Sequence, residues 1–463
     1  MKLLKVSALL LSCILCLGMF AGCGEAVNYA ANNTEYVIGV SGPLTGGAAM
    51  YGIAVANSAK LAVDEINAAG GLNGVMFKLD AYDDMNDATK IATNYSSMYE
   101  SGMQLSLGTV TTQPGLEFKN LSADDNVFFL TPSASGDAIP TNPNGYQMCF
   151  ADGNQGKVAA EFVNANYAGE TIGVFYKSDE AYSKGIYDQF KDNLDESITT
   201  IDTTFTEANA TDFSTQIDTL KACKFIFMPT YYTPASLFMT QAKDIIDADA
   251  VYYGCDGFDG IDNIEGFDIS IIPQKVTMLS HFNSKAEDGV AKEFIDKYVE
   301  AYGKDTLNQF GASAYDCVYA LYGAMAKAIE EGTEIPVTIS ASDLCDILKA
   351  QFEGGFSIEN AVTGESISWE TTGYVNKEAI SYVIKEANSA IAADDEAEAE
   401  VEAEAEAEVE AETEAEAEAE TEAEAEAETE AEAETETEAE AEAEAEAEAE
   451  TETEAEAEVA DEE

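Results

Sequence analysis

The chain of 463 residues contains no arginine: its 22 basic residues are all lysine, against 89 acidic residues and a formal net charge of −67. Without the guanidinium fork that grips phosphate and guanine, and with acidity that repels a polyanion, nucleic-acid binding is excluded. Histidine is almost absent too. The single His281, in Leu279-Ser280-His281-Phe282, cannot build a metal site alone, and no nucleophile motif accompanies it, so a surface or hinge role is expected. Gly42-Pro43-Leu44-Thr45-Gly46-Gly47 lacks the Gly-Lys-Ser/Thr ending of a phosphate loop and reads as a turn. Asp83-Asp84, after a strand pattern, reads as a pair that satisfies loop and helix-start N–H groups. Catalysis finds no constellation of residues, so neither an enzyme nor a cofactor nor a resident metal is expected.

Only one apolar run is long, and it is at the start. Lys2 and Lys5 precede Val6 to Phe20, a stretch too short to span a bilayer comfortably and typical of an export signal. It ends at Phe20-Ala21-Gly22-Cys23, which resembles a bacterial lipobox, although the first lipobox position is more often Leu than Phe. The expectation is a signal peptide at 1–22, a lipidated Cys23, a polar tether over 23–35, and a protein anchored by lipid on the extracytoplasmic face of the cell membrane. Of the eight cysteines, Cys13 and Cys16 leave with the signal. Cys149, Cys223, Cys255, Cys317 and Cys345 remain, an odd number without close spacing, so buried free thiols are expected rather than a disulfide framework or zinc site.

The charge is concentrated at the other end. Between Asp394 and Glu463 there are 37 acidic residues and no basic one, in near-perfect Glu-Ala alternation. On a helix each Glu would face another four positions away, and no apolar side chain larger than Val is available to bury. The segment 393–463 therefore reads as a disordered acidic tail.

The part from about 36 to 392 repeats strand and helix. Tyr36 to Ser41 is a strand pattern, followed by Val55, Ala59, Ala62, Val63 and Ile66 at helical spacing and a stop at Gly70-Gly71. Further strands are expected near Phe77, Leu105–Leu107 and Val127–Leu130, with helices at about 87–100 and from Pro114. The pattern resumes with strands at 171–176, 198–205, 225–228 and 251–254, and helices at about 183–194, 213–220 and 234–245. Helix-rich stretches at 287–302 and 312–330 follow, with closing strands at 367–369 and 380–384. Repeated βαβ units imply α/β architecture with parallel sheets covered by helices, and the length suits two lobes.

In such sheets ligands gather beyond the carboxyl ends of the strands. Two of these ends carry hydroxyls, Gly108-Thr109-Val110-Thr111-Thr112-Gln113-Pro114 and Thr131-Pro132-Ser133-Ala134-Ser135. They offer a neutral anion grip that needs no arginine. The second half offers aromatics and an acid at corresponding places: Tyr182, Tyr231 with Tyr232, and Asp256. An anion grip facing a carboxylate and aromatic walls suits a zwitterion.

Ile38-Gly39-Val40-Ser41-Gly42-Pro43-Leu44-Thr45-Gly46, Met50-Tyr51-Gly52 and Asp64-Glu65-Ile66-Asn67-Ala68-Ala69-Gly70-Gly71 resemble the opening of the leucine/isoleucine/valine-binding family, the branched-chain amino-acid binding proteins of ABC importers. Tyr82-Asp83-Asp84, Thr131-Pro132-Ser133-Ala134-Ser135 and Gly254-Cys255-Asp256-Gly257 continue the resemblance, which covers about 36–385. It implies a type I periplasmic-binding-protein bilobe, two parallel-sheet lobes hinged by three crossovers, here 36–152 plus 283–372 and 153–282 plus 373–392. It also implies ligand contacts. Thr112, where Ser is commoner, and Ser135 would hold the ligand carboxylate, and Ser133 would lend backbone. Tyr182 would cover the ligand, Tyr231 (or Tyr232) would join it, Asp256 would hold the ammonium, and Tyr51 would line the side-chain pocket. The implied partners are an amino acid, an apolar or branched-chain one, and an ABC permease. The alternatives are the same bilobe for an amide or aromatic acid, or a surface sensing or adhesive protein that uses its acidic tail.

Overall fold

A computed structural model describes residues 27–388 except Asn142. The expected signal peptide, Cys23 and the acidic tail lie outside the described residues.

The chain first builds a five-stranded parallel sheet from β1 (Tyr36–Gly42), β2 (Phe77–Asp83), β3 (Leu105–Thr109), β4 (Phe129–Thr131) and β5 (Gly145–Gln147), in the order β2-β1-β3-β4-β5. Between them lie α1 (Ala49–Ala68), α2 (Ile91–Glu100) and α3 (Thr112–Asp125). Strand β1 is buried at every residue, as a central parallel strand covered on both faces must be.

A second sheet follows α4 (Asp152–Asn166). It uses β6 (Thr171–Lys177), β7 (Thr199–Phe205), β8 (Phe225–Met228), β9 (Val251–Gly254) and β10 (Lys275–Ser280), with α5 (Ala181–Asp192), α6 (Ser214–Leu220) and α7 (Tyr232–Ala242) between strands. Alternate residues serve opposite faces. Phe225 and Phe227 pack with Ala159, Val163, Ile186 and Phe190 of α4 and α5. Ile226 and Met228 pack with Leu220, Phe238 and Met239 of α6 and α7.

The chain then returns to the first sheet. Helices α8 (Gly289–Tyr302), α9 (Gln309–Glu330) and α10 (Ala341–Glu353) follow, with α9 packed along α1. The hairpin β11 (Ser357–Ala361) and β12 (Gly364–Ser368) comes next. Here the structure corrects one expectation: the strand read at 367–369 closes neither sheet. The Asp316 carboxylate of α9 accepts from Val362 N, Thr363 N and Thr363 Oγ1 at 2.6–2.9 Å, which pins the hairpin turn to the helix. The last strand, β13 (Ile380–Lys385), does close a sheet, running antiparallel against β10, so the second sheet is mixed with order β13-β10-β9-β8-β6-β7.

The chain thus passes between the sheets three times, at 148–151, 281–288 and 369–379. One residue from each passage, Cys149, His281 and Lys377, enters the same buried cluster as Asp316. His281 is buried, so the surface option for it is corrected; its Nε2 lies 2.7 Å from Ser313 Oγ and its ring meets Phe150 edge-on. Burial and nearby Lys377 push its pKa well down, leaving it neutral. Lys377 donates to Thr363 Oγ1 at 2.6 Å, and burial lowers it to about 8. The five expected thiols are free and buried.

Candidate functional site

The carboxyl ends of both sheets converge on one place. Strand β3 ends through Gly108, whose φ of +63° is a conformation that side-chain-bearing residues rarely adopt. The chain then enters α3 with Thr112 as its first residue and Pro114 within the first turn, where a missing N–H costs nothing. Next to it, Thr131 Oγ1 donates to Thr109 O at 2.7 Å and Ser133 Oγ to Val110 O at 2.7 Å. These two bonds lock the loops after β3 and β4 together. The second also commits the one proton of the Ser133 hydroxyl. The hydroxyls of Thr112 and Ser135 remain, 3.4 Å apart and buried.

Opposite them stands Asp256, which follows β9 in a single 3-10 turn and is 1% exposed. Its Oδ1 accepts from Tyr182 Oη at 2.6 Å, and its N–H donates to Gln155 Oε1 at 2.9 Å. Tyr182 Oη in turn accepts from Gly257 N at 2.9 Å. The ring of Tyr182 stacks on Tyr231 with centroids 4.6 Å apart. Tyr51, from α1, stands edge-on to Tyr231, Tyr232 and Phe310 and donates to Gly257 O at 2.5 Å. Burial raises Tyr51 and Tyr182 well above the usual phenol range, so both are neutral donors.

All seven residues expected to touch a ligand, Tyr51, Thr112, Ser133, Ser135, Tyr182, Tyr231 and Asp256, line one small, almost filled cavity. Of the two tyrosines left open by the sequence, Tyr231 lines the cavity and Tyr232 backs Tyr51. Val110 and Thr111, within the hydroxyl-bearing stretch after β3, also line it, as does Phe310, which carries no motif that would have marked it. Phe310 sits at the start of α9 behind the cap Asn308, and this cap is its only local signal. The lobes are closed on each other: Thr233 Oγ1 donates to Gly47 O at 2.7 Å, and Gln309 N donates to Asp259 Oδ2 at 2.8 Å.

The site is acidic and buried. Burial pushes Asp256 up to about 6 despite the bond from Tyr182. A second acid, Asp152, is buried beside Thr112 and Ser135, and its pKa is raised well above the carboxylate range. Among the described residues no ammonium group is paired with either. Asp83 and Asp84 serve the nearby turn as expected, accepting from Leu44 N and Asn86 N, both at 2.9 Å.

Known proteins share this fold. A family model described as periplasmic binding protein matches residues 35–350. The Leu/Ile/Val-binding protein BraC3 of Rhizobium johnstonii is 26% identical over 66% of this chain and 86% of its own length. A leucine-, isoleucine-, valine-, threonine- and alanine-binding protein of Pseudomonas aeruginosa is 27% identical over 64% of this chain and 79% of its own. The fold is shared with the branched-chain amino acid transporter substrate binding protein LivJ from Streptococcus pneumoniae, solved with isoleucine, at a TM-score of 0.65 and 24% identity, covering 76% of this chain and 97% of that one. It is shared equally with a solute binding protein from R. palustris solved with benzoate, at a TM-score of 0.64 and 15% identity, covering 76% and 94%. With a family match across well over half its length, this chain belongs to the periplasmic binding proteins, solute receptors of ABC transporters, with relatives named for leucine, isoleucine and valine.

Proposed function

We propose that the protein captures one amino acid, branched-chain or similarly small and apolar, and delivers it to an ABC permease while tethered to the membrane by a lipid on Cys23. The observation that carries this is the placement of two neutral hydroxyls, Thr112 and Ser135, across a small aromatic-walled cavity from the buried carboxylate of Asp256. A zwitterion satisfies both ends at once: its carboxylate takes the hydroxyls and the helix-start N–H groups, and its ammonium takes Asp256. A purely anionic ligand would leave Asp256 charged and unpaired in a dry site, which is costly. The protein acts by binding and release between closed and open lobes rather than by turnover.

A thermal-shift screen of the folded part against the amino acids, with benzoate as an anionic control, tests the reading. Leucine, isoleucine or valine should raise the melting temperature and benzoate should not; a response to benzoate alone would reverse the assignment. Mass spectrometry of membrane fractions should show an acylated peptide beginning at Cys23, and an unmodified Cys23 peptide in soluble protein would refute the anchor.

A further inference from the structure

We infer that Asp152 is a positioning residue of the ligand site: it acts as a neutral carboxylic acid that aligns the hydroxyl protons of Thr112 and Ser135 toward the ligand carboxylate. This rests on the reading of the cavity as a zwitterion site.

Asp152 is the first residue of α4, just after the chain first passes between the sheets. Its side chain lies between the lobes. Thr112 Oγ1 is 3.5 Å from Oδ2, the Ser135 hydroxyl faces the same carboxyl, and a Cβ built on Gly185 of α5 would lie 3.7 Å from Oδ2 on the other side. Oδ1 is buried and has no hydrogen-bond partner. A carboxylate at a helix start normally collects backbone N–H groups. Here every one is taken elsewhere: Asp152 N donates to Ser135 O, Gly153 N to Asp137 Oδ1, and Asn154 N and Gln155 N to Ala151 O. The charged groups that act on it, Asp256 from the loop after β9 and Asp137 from the loop after β4, are both acids and disfavour its ionisation. The other titratable groups nearby, Tyr231, Cys149 and Cys255, are held neutral by burial.

The protonation state decides what the hydroxyls can do. Each hydroxyl has one proton. An ionised Asp152 would draw the Thr112 and Ser135 protons to itself and turn their lone pairs toward an incoming carboxylate. A neutral Asp152 can donate its own proton to one of these oxygens, which frees both hydroxyl protons for the ligand. The two buried acids then divide the work: Asp256 carries the charge that meets the ammonium, and Asp152 carries the proton.

The test uses leucine as probe. At pH 7, a wild-type-minus-Asp152→Asn infrared difference spectrum should contain a carboxylic-acid C=O band. By calorimetry Asp152→Ala should weaken leucine binding by about 30-fold, and Asp152→Asn, which keeps an acceptor and a donor, by only about three- to tenfold. The absence of that band, or an Asn variant as weak as the Ala variant, overturns the inference. The infrared comparison uses only the isosteric variant, so it stands even if Asp152→Ala fails to fold. If the wild type binds no amino acid, or if Asp256→Asn binds leucine as tightly as the parent, the zwitterion reading itself falls and takes this inference with it.

Discussion

Replacing Asp256 by Asn keeps the shape of the side chain and removes its charge, and the structure sets the expected loss. In the free site the carboxyl sits at about 6, some two units above its usual 3.8, because burial outweighs the hydrogen bond from Tyr182. A ligand ammonium supplies the missing opposite charge. Bringing the group back to the ordinary range corresponds to about 3 kcal/mol, at roughly 1.4 kcal/mol per unit. This lies within the roughly 2–5 kcal/mol for truncating one partner of a buried, hydrogen-bonded charge pair. Leucine should therefore bind Asp256→Asn about 100-fold more weakly by isothermal calorimetry. The sign of the pH dependence follows. Below about pH 6 the ammonium must displace a proton from Asp256, so affinity should fall by up to tenfold per pH unit until the ligand-bound pKa is reached. Asp256→Asn should lack this acid limb. An Asn variant within threefold of the parent, or wild-type affinity that stays flat from pH 7 to pH 5, would refute the reasoning.

Further expectations bear on other parts of the molecule. Ser135→Ala should cost about 1–3 kcal/mol of leucine binding by calorimetry, less than Asp256→Asn, because backbone N–H groups share the carboxylate. Gly257→Ala would place a Cβ 2.7 Å from Tyr182 Oη and 2.9 Å from Thr230 O; it should cost about 1–3 kcal/mol of stability, read by urea denaturation, and disturb the Tyr182–Asp256 bond. Asp316→Ala strands the buried N–H groups of Val362 and Thr363 and should lower unfolding free energy by about 2–4 kcal/mol; an unchanged denaturation midpoint would mean the hairpin is held by other contacts. Four acids, the buried Asp84 and Asp256 at about 6 and the part-buried Glu180 and Asp259 at about 7, hold protons in the folded state that the unfolded chain loses near pH 4. Their penalty is absent below pH 4 and grows as pH rises to 7, so the ligand-free protein should melt higher at pH 5 than at pH 8. Scanning calorimetry that showed the melting temperature rising with pH over this range would contradict the burial of these groups.

The sequence by itself determined the α/β class, most of the strands and most of the residues that line the cavity. A parallel strand buried on both faces writes itself as a continuous apolar run, as in Tyr36–Val40, and helix stops such as Gly70-Gly71 are local facts. The sequence has no arginine, and no lysine lines the cavity, so hydroxyls and backbone N–H groups are the donors there. Other features are not local. Strand β5 has three residues and α10 follows a loop without a strand to frame it, so neither stands out by periodicity. Trp369 looks like the end of a sheet strand but instead donates its indole N–H to Gln147 O at 2.7 Å, a partner 222 residues away. Only the tertiary structure decided which of Tyr231 and Tyr232 faces the cavity, since one residue of helix-start geometry separates them. Only it brought Phe310 and Asp152 to the site. Their roles come from closure of two lobes, each assembled from distant stretches of chain, and from the burial that closure imposes on groups with no charged partner of their own.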